Sequence, residues 1–174
     1  MLDTPLLISQ MVERAEKFFP NKQVVSRTSA GIQRFTYKEF GERTRKLASA
    51  LAKLGVEKGE RIGTLGWNHH RHLEAYFAIP GIGAVLHTIN IRLSPEHIIY
   101  IINHAEDKVL LIDDDFLPLI EKVKDQLTSV EAFIVMSDKE ELPETSLSPV
   151  YSYEELIKDG DAKFEFVTDL DEND

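Results

Sequence analysis

The chain has 174 residues, 43% apolar and 29% charged, with no cysteine. That balance fits a soluble globular domain with a real core and excludes disulfides and thiolate metal sites. Its net charge of −10 is concentrated, because residues 1–136 hold 17 acidic and 17 basic side chains whereas residues 137–174 hold 13 and 3, so no basic patch suits nucleic acid or an anionic membrane surface.

The first segment reads as a helix. Thr4 is placed to cap it, Pro5 suits its first position, and Ile8, Met11, Val12, Ala15, Phe18 and Phe19 fall on one stripe. Pro20-Asn21 stops it. Two short strands follow, Val24–Thr28 and Ile32–Tyr37, joined as a hairpin through Ser29-Ala30-Gly31. Thr36-Tyr37-Lys38-Glu39 is a capping box that opens a second helix. Phe40, Leu47, Leu51 and Leu54 share one side of it, Arg43, Arg45 and Lys46 lie largely elsewhere, and Gly55 fits a left-handed end cap.

The rhythm then becomes strand, helix, strand. Arg61–Trp67 is expected as a strand, and His70–Ile79 as a helix burying Leu73, Tyr76 and Phe77. Ala84–Ile89 is a strand, and Ser94-Pro95 starts a helix carrying Ile98, Ile101, Ile102 and Ala105. Lys108–Ile112 is a strand, Phe116–Leu127 a helix and Ala132–Met136 a strand. Apolar strands alternating with amphipathic helices indicate an α/β fold. The expectation is a mostly parallel sheet of four to five strands, covered on both faces, plus the N-terminal hairpin.

Residues 1–136 form the α/β unit on this reading, and 137–174 an acidic loop, short helix and tail. Residues 137–149 read as a loop with Pro143 and Pro149. Ser152-Tyr153-Glu154-Glu155 is a further capping box, opening a helix that ends near Gly160. No apolar run approaches the ~18–20 residues of a bilayer span. Met1-Leu2-Asp3-Thr4-Pro5 lacks a basic signal start, so a cytoplasmic protein is expected.

Chemistry-bearing patterns are sparse. Gly81-Ile82-Gly83 fails as a dinucleotide loop, because Leu86 replaces the third glycine and the glycines precede a strand. Close helix-to-strand passage is the simpler reading. His69, His70 and His72 cluster, with 69 and 72 on neighbouring helical faces, but no cysteine completes a zinc set and Glu74 is poorly placed for it. His97 and His104 lie two turns apart and suit surface or cap roles. Asp113-Asp114-Asp115 after an apolar strand is reminiscent of a phospho-receiver pocket, yet only 59 residues follow, with one convincing strand. A strand-to-helix loop in which one aspartate caps the helix beginning near Phe116 is the favoured reading. The sequence contains no G-x-S-x-G elbow and no G-x-x-x-x-G-K-[ST] loop.

Two stretches carry a resemblance. Phe35-Thr36-Tyr37-Lys38-Glu39-Phe40 is similar to an early motif of adenylate-forming enzymes, and Pro80-Gly81-Ile82-Gly83-Ala84-Val85-Leu86-His87-Thr88-Ile89-Asn90 to their glycine-alanine motif. Trp67–Tyr76, Arg92–Glu96 and Ile101–Lys108 resemble the medium- and long-chain fatty-acyl-CoA synthetases in particular. Asp171-Glu172-Asn173-Asp174 resembles the segment just before the family's Thr/Ser/Gly-rich phosphate loop.

The resemblance implies a ligase that uses ATP, Mg²⁺ and CoA to convert a fatty acid to acyl-CoA, AMP and pyrophosphate. Its catalytic, nucleotide-binding and metal positions fall in sequence not present here, so no catalytic, cofactor-binding or metal residue is assigned. Thr36, Glu39, Gly81 and Gly83 are structural. Downstream domains of the same enzyme are the implied partners, with a homodimer also suggested. A stand-alone α/β interaction module that lost the chemistry remains the alternative.

Overall fold

The computed structural model of the chain describes residues 5–171. Seven strands and six helices are described: α1 (Ser9–Phe18), β1 (Gln23–Thr28), β2 (Gly31–Thr36), α2 (Tyr37–Lys53), β3 (Arg61–Leu65), α3 (His70–Gly81), β4 (Val85–Thr88), α4 (Pro95–Ala105), β5 (Asp107–Asp113), α5 (Leu117–Val123), β6 (Ala132–Met136), β7 (Val150–Ser152) and α6 (Tyr153–Lys158). β1 and β2 form an antiparallel hairpin, and the other five strands a wholly parallel sheet in the order β4-β3-β5-β6-β7.

Each central strand is apolar on both faces, which is why the sheet must be covered twice. In β5, Val109 and Leu111 enter one core while Leu110 and Ile112 enter the other. In β6, Ala132, Ile134 and Met136 alternate with Phe133 and Val135 in the same way. The first core is closed by α2, α3 and α6 through Leu47, Leu51, Ala78, Ile79, Tyr153 and Ile157. The second is closed by α4 and α5 through Ile98, Ile102, Leu117 and Ile120.

Several expectations hold at the level of single bonds. Thr36 and Glu39 form the capping box: the Thr36 hydroxyl accepts from the Glu39 N–H at 3.2 Å and the Glu39 carboxylate from the Thr36 N–H at 2.8 Å. Ser94 and Ser152 cap α4 and α6 with their side chains, but the second capping box is only half formed, because the Glu155 carboxylate goes to Lys158. Gly81 and Gly83 are structural. Gly83 has φ +78°, and a Cβ on Gly81 would fall 2.4 Å from the Phe166 ring.

Other expectations are corrected. Thr4 lies outside the described residues, as do Glu172, Asn173 and Asp174. Pro5–Leu7 are not helical, and α1 begins at Ser9 after Ile8, which provides no side-chain cap. Val12 is buried, but Met11, Phe18 and Phe19 are exposed. β3 stops at Leu65, short of Trp67, whose N–H is taken by Asp113 instead of a neighbouring strand. The helix expected over 116–127 is split, with 3-10 turns at Asp114–Phe116 and Lys124–Gln126 flanking α5. β7 was not anticipated: three residues after Pro149 pair with β6 and complete the same sheet.

The largest correction concerns α3. Leu73 and Tyr76, expected inside, are exposed, and Phe77 is half-buried. His70, Arg71, His72, Glu74, Ala75, Ala78 and Ile79 point inward instead. The reason lies in partners supplied from elsewhere in the chain.

Candidate functional site

The strand order makes β3 and β5 the place where connections leave in opposite directions, β3 to β4 on one side and β5 to β6 on the other. In open parallel sheets a crevice forms there beyond the carboxyl ends of the strands. Trp67 and His69 reach it from the loop after β3, Asp113–Asp115 from the end of β5, and Ser137 and Asp138 from the end of β6. The β1–β2 turn and Arg71 close it, leaving a cavity of about 200 Å³.

The carboxylates of this crevice are turned onto the protein. Asp113 accepts from the Trp67 N–H at 2.6 Å and meets His69 Nε2 at 2.7 Å. His69 Nδ1 accepts from the His72 N–H at 3.3 Å, which leaves Nε2 to carry the proton toward Asp113. The Trp67 indole donates to Asp115 at 3.0 Å, and the Ser137 hydroxyl to Asp114 at 2.8 Å. Asp138 accepts from the Ser29 hydroxyl at 2.7 Å, the Ala30 N–H at 2.9 Å and Arg71 at 3.0 Å. Burial works against the Asp138 charge, but hydrogen bonds from Ser29, Ala30, Thr28 and Arg71 overcome it and hold its carboxyl below the usual range.

Arg71 leads into a second, more deeply buried network. It donates to Glu154 at 2.7 Å, and Glu154 is also gripped by Arg43 through two bonds of 3.0 Å. Arg43 makes a further two-point contact with Glu74, at 2.6 and 3.2 Å, and the Tyr153 hydroxyl donates to Glu74 at 2.6 Å. Glu74 has no exposed surface, and burial pushes its carboxyl up while Arg43 offsets part of that rise. Burial likewise pushes the Tyr153 phenol up, reinforced by the Glu74 charge, so Tyr153 stays a donor. This chain of groups ties the β1–β2 turn, α2, α3, α6 and the loop after β6 into one body.

The three histidines separate. His69 goes to Asp113, His70 Nδ1 to the Ser26 hydroxyl at 3.1 Å, and His72 to the Trp67 carbonyl at 3.1 Å and the Thr64 hydroxyl at 3.0 Å. Burial, helped by Arg71 and Arg43, pushes His70 down to about 3, and burial lowers His72 as well. Among the described residues, no group of three His, Asp or Glu side chains is arranged to hold a metal ion. His97 meets the Ser94 hydroxyl at 3.3 Å and His104 stacks on Tyr100, the surface roles expected of them. A pair that sequence reading passed over, His87 and Asp107, meets at 2.7 Å between β4 and the start of β5.

The crevice is poorly matched to the phosphates of ATP. Four aspartates line it, Arg71 is already committed to Asp138 and Glu154, and Arg27 lies exposed at its rim. Phosphates in transfer need free donors and cations aimed at the developing charge. The three aspartates after β5 also diverge to separate partners, unlike a shared receiver pocket.

A family model described as AMP-binding enzyme matches residues 12–170. The chain belongs to that family. Over 158 residues it is 51% identical to a long-chain-fatty-acid–CoA ligase of Thermus thermophilus, covering 90% of this chain and 28% of the relative. Over 174 residues it is 44% identical to a medium-chain-fatty-acid–CoA ligase of Ectopseudomonas oleovorans, covering 99% and 32%. The crystal structure of the anthranilate CoA ligase AuaEII in complex with anthranoyl-AMP superposes with a TM-score of 0.85 at 25% identity, over 96% of this chain and 30% of that one. The chain thus spans about a third of the length of the curated relatives it matches. Among the described residues no helix is long and apolar enough to cross a membrane.

What sequence reading missed in the site is the ionic network. Its signal was present: Arg71 and Glu74 sit on the same face of α3 as Ala75, Ala78 and Ile79, so the helix has two partly apolar faces. Choosing between them required knowing that Arg43 and Tyr153 would meet Glu74.

Proposed function

We propose that this chain is the N-terminal part of an AMP-forming fatty-acid–CoA ligase, and that it serves as scaffold in that enzyme. The longer protein joins a fatty acid to CoA, using ATP and Mg²⁺ and releasing AMP and pyrophosphate. These residues build the first parallel sheet and hold its carboxyl edge rigid, while the groups that grip phosphates come from other sequence. The single observation that carries the reading is the 44–51% identity to fatty-acid–CoA ligases over 90–99% of the chain. The closed hydrogen bonding of the crevice supports the scaffold role, since a nucleotide site needs donors held open for its ligand.

Fatty-acid-dependent exchange of labelled pyrophosphate into ATP tests it. The 174-residue polypeptide is expected to show no exchange with acids from butyrate to oleate, and the longer protein containing it to show exchange. Exchange by the short polypeptide overturns the scaffold reading, and its absence from the longer protein overturns the ligase reading.

A further inference from the structure

Strand β4 lies at the edge of the described sheet and is weakly anchored by burial. None of its four residues is buried, and Leu86 packs against the first core while partly exposed. Its polar tie reaches across the neighbouring strand. His87 stands beside Gly63 of β3, and its Nδ1 meets Asp107, the first residue of β5, at 2.7 Å. Glycine leaves that passage open: a Cβ on residue 63 would fall 2.8 Å from Asp107 Oδ2 and 2.5 Å from the Leu110 side chain.

Asp107 is poorly supported for a buried carboxylate. Asp138 accepts from three groups and is held ionised. Asp107 has no exposed surface, meets His87 alone among the described residues, and leaves Oδ1 without a hydrogen-bond partner. Burial pushes its carboxyl up, offset in part by His87 and by the charge of Arg61. Arg61 itself donates to the Ala105 and Gly59 carbonyls and to Glu106. Lys108 is turned to Glu60 and the Gly55 carbonyl, and His104 stacks on Tyr100. From α4, Ile98 and Ile102 cover this face of the sheet without adding charge.

We propose that His87 and Asp107 form a proton-operated latch on β4: one proton held by the pair keeps the strand closed, and its loss on the alkaline side loosens β4 from the sheet. With that proton the pair is balanced in charge. Without it a buried carboxylate faces a neutral ring, with one oxygen unpartnered. The closed strand therefore holds the proton more tightly than the open, solvated one, and the stabilisation is lost as pH rises. Opening stays local because β4 buries so little of its own surface. The inference is independent of the ligase reading.

Hydrogen exchange followed by mass spectrometry on the full-length protein tests it, comparing protection of β4 with that of the central strand β6 after correction for intrinsic exchange. From about pH 5.5 to about pH 8.5, the span in which histidine exchanges a proton, β4 protection is expected to fall at least ~10-fold while β6 stays level. His87→Gln keeps an N–H toward Asp107 but no titrating proton, and its β4 protection should be flat. Asp107→Asn removes the buried charge and should be flat as well. A level profile in the unmodified protein overturns the proposal, since the contact is then an ordinary hydrogen bond. So does a fall shared by β6, or a fall retained in either variant that still protects β6. The fall must also share its midpoint with the titration of the His87 ring followed by NMR, and separate midpoints overturn the latch whether or not the variants fold.

Discussion

The two faces of the parallel sheet are built on different principles. Under α4 and α5 the contacts are aliphatic: Ile98, Ile102, Leu117, Ile120 and Val123 meet Leu110, Ile112, Phe133 and Val135. Under α2, α3 and α6 the aliphatic core is capped by Arg43, Glu74, Arg71, Glu154 and Tyr153, joined by bonds of 2.6–3.2 Å. The first face is specified by volume, so many apolar side chains of similar size would satisfy it. The second is specified by geometry, because each buried charge is tolerable only while its partner is in place.

The sharpest way to break that comparison is Glu74→Ala. It leaves Arg43 with Glu154 alone and strands the Tyr153 hydroxyl, and loss of about 3–5 kcal/mol in urea unfolding is expected, as for one partner of a buried pair. A loss within experimental error would mean that the network carries no stability.

Next in size is a pH effect confined to the polar face. His70 is kept neutral down to about 3 in the fold, against ~6.5 for a free histidine. Between those values the unfolded chain binds a proton that the native chain does not, so stability rises with pH through that window and is complete above it. The slope approaches ~1.4 kcal/mol per pH unit. Thermal unfolding from pH 7 to 4.5 should show it, and His70→Gln should remove that share of the slope while leaving the part due to His72 and the carboxylates. An unchanged slope would show that His70 is protonated in the fold.

On the aliphatic face the expected penalty is smaller. Ile102→Leu conserves volume and should cost less than ~1.5 kcal/mol, even though Ile102 is fully buried. A cost equal to that of Glu74→Ala would erase the distinction between the faces. Smallest is Thr36→Ala at the entry of α2, which removes a hydroxyl that accepts from the Glu39 N–H. About 1 kcal/mol of destabilisation is expected in the same urea titrations, and no measurable change would make the capping box decorative.

Local grammar was the legible part of this protein. Thr36, Ser94 and Ser152 announced three helix starts, and the apolar runs 109–112 and 132–136 announced two-faced strands, because caps and period-two burial depend on neighbours a few residues away. α3 was misread because its orientation is not local. Leu73, Tyr76 and Phe77 form a plausible apolar stripe, and only the arrival of Arg43, 31 residues earlier, and Tyr153, 79 residues later, makes Glu74 acceptable inside. β7 escaped for a related reason: three half-buried residues carry little pattern of their own and become a strand by pairing with β6. The glycines at 81 and 83 were legible as punctuation, although the ring that Gly81 must admit, Phe166, comes from the far end of the chain.

The sequence by itself therefore determined the alternation of strands and helices, the caps, and the lack of a phosphate-gripping motif. Tertiary structure alone decided which face of α3 is inside and how the histidines and aspartates are shared out at the sheet's carboxyl edge. The physical reason is that a buried charge is stabilised or ruinous according to the partner it meets, and that partner is chosen by the fold and not by the neighbouring residues.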